Sequence, residues 1–128
     1  MRRALLAAVL LATIAPASTA AGSGPLTGTW KGKLTPHAAT GRGPGKIVIV
    51  VNASETGGSW RLGPSCHGPL VLDSISGGYH HYRRKLAPGS TCKGGDIDCL
   101  KRVGGNVYDS VTARLGGAYN SGGTLRRV

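Results

Sequence analysis

From Leu26 to the end of this chain every apolar run is soon interrupted by Gly, Pro, Asn or Ser; the longest, Ile47-Val48-Ile49-Val50-Val51, is closed by Asn52. Punctuation this dense belongs to strands joined by tight turns and leaves no room for a helix of ordinary length. The spacing predicts strands over Leu26 to Leu34, Lys46 to Ala53, Ser59 to Leu62, Pro69 to Ser74, Tyr79 to Leu86, Gly95 to Lys101, Asn106 to Leu115 and Gly123 to Val128. Between them stand Gly57-Gly58, Gly63-Pro64, Ser76-Gly77-Gly78, Pro88-Gly89, Gly104-Gly105 and Asn120-Ser121-Gly122-Gly123, turn residues that tolerate positive φ. Eight short strands in succession predict an all-β fold, an antiparallel meander closed into a barrel, with a β-sandwich as the alternative. Closure is preferred because it hides sheet edges and because the first and last segments both carry strand-like sequence. The Ile47 to Val51 run is apolar on both faces, so it is expected to be covered on both sides or to lie where the barrel flattens. Gly41 to Gly45 before it reads as a flexible loop.

Ahead of these strands, Arg2-Arg3, an apolar stretch from Ala4 to Ala15 and the small residues Ser18-Thr19-Ala20 form the pattern of an export signal cleaved near Ala20. The stretch is about a dozen residues, short of the roughly 20 that a membrane helix needs. The sequence therefore predicts a secreted product without membrane insertion, with residues 1–20 as leader and residues 21–128 as one small domain. Without Arg2 and Arg3 the 16 basic residues fall to 14 against 5 acidic ones, leaving +9. That charge favours acidic partners, such as an anionic cell-wall polymer or nucleic acid, and also keeps an exported protein soluble.

With no Phe in the chain, the core must come from Val, Ile, Leu, Trp30, Trp60 and four Tyr. Small exported domains with so modest a core commonly add a disulfide. Of three cysteines, Cys66 and Cys92 lie in polar Gly/Pro/Ser-rich surroundings where loops can meet, and they form the favoured pair. Their bond would close a span of about 25 residues and contribute roughly 3 kcal/mol. A Cys66 bond to Cys99, or an intermolecular bond, are the alternatives. Left over, Cys99 reads as a small buried hydrophobe beside Ile97.

The residues with most chemistry stand together in one strand: Tyr79, His80, His81, Tyr82, Arg83, Arg84 and Lys85. Adjacent strand residues point to opposite faces, so His80 and His81 cannot grip one metal together. His81 shares a face with Tyr79, Arg83 and Lys85, and His80 with Tyr82, Arg84 and Leu86. A simple hairpin register places Arg84 opposite Asp96 and Tyr82 opposite Asp98. Such pairs stabilise a sheet; in a functional version, His80, Tyr82, Arg84 and Asp98 line a ligand pocket at the barrel mouth. No catalytic constellation emerges. Cys66-His67 are neighbours with the thiol expected to be oxidised, and Gly63-Pro64-Ser65-Cys66-His67-Gly68 lacks the spacing of a nucleophile elbow. Glu55, the only Glu, sits in a turn expected to be a solvated tip. His-Glu-x-x-His is absent, and neither a cofactor nor a metal is expected. The basic clusters Arg83-Arg84-Lys85, Lys101-Arg102 and Arg126-Arg127 split between faces, so no continuous patch can be drawn from them.

Gly28-Thr29-Trp30 resembles the Gly-x-Trp signature with which lipocalin-like and other calycin barrels begin. The resemblance implies that Trp30 plugs one barrel end under a basic residue of the last strand, Arg126 or its neighbour Arg127, with Arg126 taken as the scaffold residue. Over most of the chain, Trp60-Arg61-Leu62, Cys66-His67-Gly68-Pro69-Leu70, Tyr82, Cys92-Lys93-Gly94-Gly95 and Thr124-Leu125-Arg126-Arg127 look like a small actinobacterial-type secreted β-domain. That domain is similar to extracellular C-terminal parts of bacterial serine/threonine kinases. It implies a Cys66–Cys92 bridge and no known chemistry; Arg83-Arg84-Lys85 stands where such domains more often show a carboxylate, and Cys99 is additional.

The expectation is a secreted, non-catalytic binding or interaction module, with Tyr79 to Lys85 as its contact surface. Its partner is an unidentified ligand, an anionic polymer or a cell-surface protein, with nucleic acid less favoured. The alternatives are a cationic exoprotein that adheres to anionic polymer and a secreted hydrolase or protease inhibitor.

Overall fold

The computed structural model describes residues 24–36, 45–114 and 117–128. The expected leader, most of the Gly41 to Gly45 loop and the strand end at Leu115 lie outside these residues. Eight strands follow in order: β1 (Gly28–Pro36), β2 (Gly45–Val51), β3 (Gly57–Leu62), β4 (Cys66–Ser76), β5 (Tyr79–Arg84), β6 (Ile97–Val103), β7 (Asn106–Thr112) and β8 (Tyr119–Arg127). Each pairs antiparallel with the next, and β8 returns to β1. The sheet is a closed, calycin-like barrel, and no helix occurs among the described residues.

Two boundaries differ from the sequence reading for one physical reason. Gly122 and Gly123 lie inside β8, not in a turn, and Gly57 and Gly58 open β3. At the closing seam a Cβ on Gly123 would come within 1.9 Å of the Lys33 carbonyl oxygen, and one on Gly58 within 1.7 Å of that of Val50. These glycines let backbones approach each other across the barrel wall. β5 in turn stops at Arg84, because the following segment leaves β6 and lies against β4, with Lys85 N–H donating to Pro69 and Ala87 N–H to His67.

Strand alternation fills the interior with Trp30, Leu34, Ile47, Ile49, Val51, Trp60, Leu70, Tyr82, Leu100, Val107, Val111 and Leu125. In β2 the inward residues are Ile47, Ile49 and Val51; Val48 and Val50 face outward, and Val50 is exposed. Of the two expectations for this run, cover on both faces is therefore corrected: outside, Val50 is exposed and Val48 only half-buried.

One end is closed by residues 24–27 folded across it. The Trp30 indole N–H donates to the Leu26 carbonyl at 2.7 Å, and the Leu26 N–H donates to the Glu55 carboxylate. Tyr82 Oη donates to the Glu55 carbonyl at 2.7 Å. Glu55 is thus a clamp at the closed end and not a solvated tip.

At the other end the Cys66–Cys92 disulfide, with Cα atoms 5.4 Å apart, ties the β5–β6 connection to the start of β4. Ser90 and Thr91 reinforce the tie: the Ser90 hydroxyl accepts from the His67 N–H, and the Thr91 N–H donates to the Ser65 carbonyl. Replacing both cysteines with serine is expected to lower unfolding free energy by roughly 3 kcal/mol through loop entropy. Chemical denaturation of the two proteins under oxidising conditions checks this; equal midpoints would mean the loop is held without the bond.

Candidate functional site

The inward side chains of β5 and its neighbours build a charged cluster within the apolar interior. Tyr82 lies opposite Asp98, as the hairpin register anticipated. Arg84 does more than face Asp96: its Nε and Nη2 donate to the two Asp98 oxygens at 2.7 and 2.8 Å, with Asp96 at 3.8 Å. Its guanidinium also lies 5.0 Å from the centre of the Trp60 ring, a cation–π contact. Burial alone would lower the pKa of Arg84, but its acidic neighbours, Asp98 above all, raise it.

Asp109, from β7, completes the cluster, and no reading of the hairpins placed it there. Asp98 and Asp109 are both 0 % exposed, and neither oxygen of Asp109 has a donor. Two ionised carboxylates around one guanidinium would leave a net negative charge in apolar surroundings. Desolvation, then the Asp98 charge, push Asp109 well above its ordinary value of 3.8 despite Arg84. Burial and the neighbouring Asp98 carboxylate thus both favour the neutral form of Asp109, a carboxyl that can share its proton with Asp98.

The outward side chains of β5 are engaged in other ways. Arg83 pairs with Asp73 at 2.7 Å on the surface, and Lys101 Nζ lies 5.4 Å from the centre of the Tyr79 ring. His81 Nδ1 is 3.2 Å from Cys99 Sγ, and His81 Nε2 is 3.0 Å from Ser76 Oγ. The same register that pairs Tyr82 with Asp98 pairs His81 with Cys99, so this contact was available from the sequence. Burial, reinforced by Asp109 and Asp98, pushes the Cys99 thiol up to about 11 despite a hydrogen bond with Thr112. A thiol in that range is not the thiolate a nucleophile requires.

The four residues expected to share a mouth pocket are not gathered around one cavity. Arg84 lines a cavity of about 90 Å³ at the open end, together with Leu34, Pro36, Leu62, Asp96 and Ser121. His80 stacks on Tyr82, 6.1 Å between ring centres, and lines a hollow at the closed end with Leu26 and Leu100. Small-ligand pockets are usually roughly 300–1,000 Å³, and the mouth falls well short.

The basic cover of Trp30 also differs from expectation. Arg127, not Arg126, lies over the ring at 4.3 Å, joined by Arg102 at 5.3 Å. The register explains this: Trp30 is opposite Arg127, so both point inward, whereas Arg126 is opposite Lys31 and points out. Arg127 and Arg102 also donate to the carbonyls of Thr27 and Pro25, pinning the segment that closes this end.

Arg126 belongs instead to an outer face that the sequence did not reveal. Across the strands Arg126 faces Lys31, Lys31 faces Val48, Val48 faces Arg61, and Arg61 faces His67. On the same side Lys33 faces Lys46. Successive members of such a row are about 4.8 Å apart. All five acidic residues lie elsewhere: Glu55 in the closed-end clamp, Asp73 with Arg83, and Asp96, Asp98 and Asp109 around Arg84. Within this basic face runs an open groove of about 520 Å³. Its walls are Val48 and Val50 on one side and Pro69 and Ala87 on the other, Ser59 lies along it, and Lys31, Arg61 and His67 rim it.

Among the described residues no group of His, Cys, Asp and Glu could hold a metal, and no helix is long and apolar enough to cross a membrane. No family model, curated protein or solved structure matches this chain.

Proposed function

We propose that this chain is a secreted, non-catalytic binding protein that adheres to anionic polymers through the outer face of β8, β1, β2 and β3. The carrying observation is the set of five cations on that face, Arg126, Lys31, Lys33, Lys46 and Arg61, with every acidic residue placed elsewhere. Single-sign charge on one face raises the local concentration of a polyanion and speeds its capture. Export is supported by the amino-terminal pattern from Arg2 to Ala20 and by the disulfide. A non-catalytic role is supported by the Cys99 thiol, pushed up by burial, and by the closing off of the Asp98 and Asp109 carboxyl groups from solvent.

The reading that β5 is the contact strand has less support, since Tyr82 and Arg84 are interior, Arg83 is paired and Tyr79 lies under Lys101. A ligand held in the lumen has less again, because large side chains fill it.

The test is binding of the purified protein to polyanions across a salt series, with the variant Lys31→Gln/Arg61→Gln/Arg126→Gln as comparison. Affinity is expected to fall steeply with salt, and the triple variant should lower the salt slope by about one per cation removed. Binding that ignores salt, or a triple variant with an unchanged slope, would overturn the proposal.

A further inference from the structure

Resting on that reading, we infer that the groove between β2 and β4 seats the sugar rings of a linear acidic polysaccharide, with Lys31, Arg61 and His67 meeting its anionic groups. Two kinds of surface meet in one place. A row of cations crossing the strands suits an extended polyanion. Charge alone does not require a groove, yet Val48, Val50, Pro69 and Ala87 line one beside those cations. The ligand must offer C–H surface as well as negative charge, and the two must alternate over short distances. A pyranose ring with a carboxylate does so, whereas polyphosphate offers no apolar surface at all.

Other polyanions fit less well. Single-stranded nucleic acid stacks its bases on aromatic side chains, and Trp60, which lines this groove, is only 2 % exposed and turned into the core. Trp30, Trp60 and Tyr82 are buried, Tyr79 is on β5, and Tyr108 and Tyr119 are on β7 and β8. An extended acidic peptide binds a sheet most readily by adding a strand at an edge, and the closed barrel has no edge to offer. An acyl chain needs enclosure, and this groove is open along its length. Its volume of about 520 Å³ lies within the range of small-ligand sites. It stays open because β3 carries the small Ser59 at the outward position between Val50 and Pro69, where a bulkier residue would close it.

The experiment compares polygalacturonate, inorganic polyphosphate and single-stranded DNA at matched charge and salt, on the parent protein and on Ser59→Leu. That variant narrows the groove without altering charge at an exposed strand position. The expected result is parent binding to polygalacturonate about tenfold tighter than to the other two. Ser59→Leu should weaken polygalacturonate about tenfold and leave polyphosphate within about twofold. A second measurement needs no variant: backbone amide resonances of Val48, Val50, Ser59 and Ala87 should shift on titration of the parent with polygalacturonate.

Equal binding of all three polymers, with no shifts at those residues and no effect of Ser59→Leu, would overturn the groove assignment and leave the adhesive reading standing. No binding of any polyanion would overturn both.

Discussion

Asp109→Asn will make this barrel more stable at pH 8 and leave it nearly unchanged at pH 3. In the unfolded chain Asp109 titrates near its ordinary value of 3.8, whereas in the barrel desolvation and Asp98 raise it well above that. The folded state then holds a proton that the unfolded state has released. Stability from this group is complete below pH 3.8 and is lost as pH rises toward and through the folded value. Asparagine carries no ionisation cost, and its amide can donate to Asp98 as the protonated carboxyl can. The expected gain is about 1–3 kcal/mol at pH 8. The readout is the difference in urea midpoint between parent and variant at several pH values, because the difference removes the titration of groups that do not interact with Asp109. A second loss should appear in both proteins above pH 9. There Cys99, raised from 9.0 to about 11, and Tyr82, also raised by burial, ionise in the unfolded chain before the folded one. If Asp109→Asn destabilises the barrel at pH 8, the proton is not where this account places it.

Arg84→Met should be the most damaging single substitution in the interior. It removes both hydrogen bonds to Asp98 and leaves that carboxylate, 0 % exposed, without its counter-charge. Removing one partner of a buried pair costs about 3–5 kcal/mol, most of it from the charge left behind. The conservative control is Asp98→Asn in the Arg84→Met background, which removes that charge and should recover a large part of the loss. Denaturation of parent, single and double variants forms a cycle whose coupling term reports the pair directly. A loss below about 1 kcal/mol for Arg84→Met would mean that solvent reaches Asp98.

The architecture was legible because alternation and turn residues act locally. Eight strands in meander order follow from short runs closed by Gly, Pro, Asn and Ser, and the Tyr82 to Asp98 register follows from the β5–β6 hairpin alone. Glycine misled where it served packing: Gly58 and Gly123 read as turn residues, yet each sits in a strand because a neighbouring backbone occupies the space of its Cβ. The sites were less legible, since each combines the registers of two or more strand pairs. Asp109 reaches Asp98 only through the β6–β7 register, in which Asp98 faces Val111 and Leu100 faces Asp109. The basic face needs four pairings at once, including barrel closure between β8 and β1. Residue order also hid which basic neighbours separate. Arg126-Arg127 and Arg83-Arg84 look like clusters in the sequence, but in each pair one guanidinium points in and the other out.

The strict inward and outward alternation of β1, β2 and β3 has an evolutionary consequence. Lys31, Lys46, Val48, Val50, Ser59 and Arg61 make the outer face, while the adjacent Trp30, Ile47, Ile49 and Trp60 make the core. Outward strand positions away from packed neighbours tolerate exchange with little effect on stability. This face can therefore drift toward new ligands while the barrel beneath it stays fixed. For the same reason it is a natural display surface, whose recognition can be rewritten one outward residue at a time.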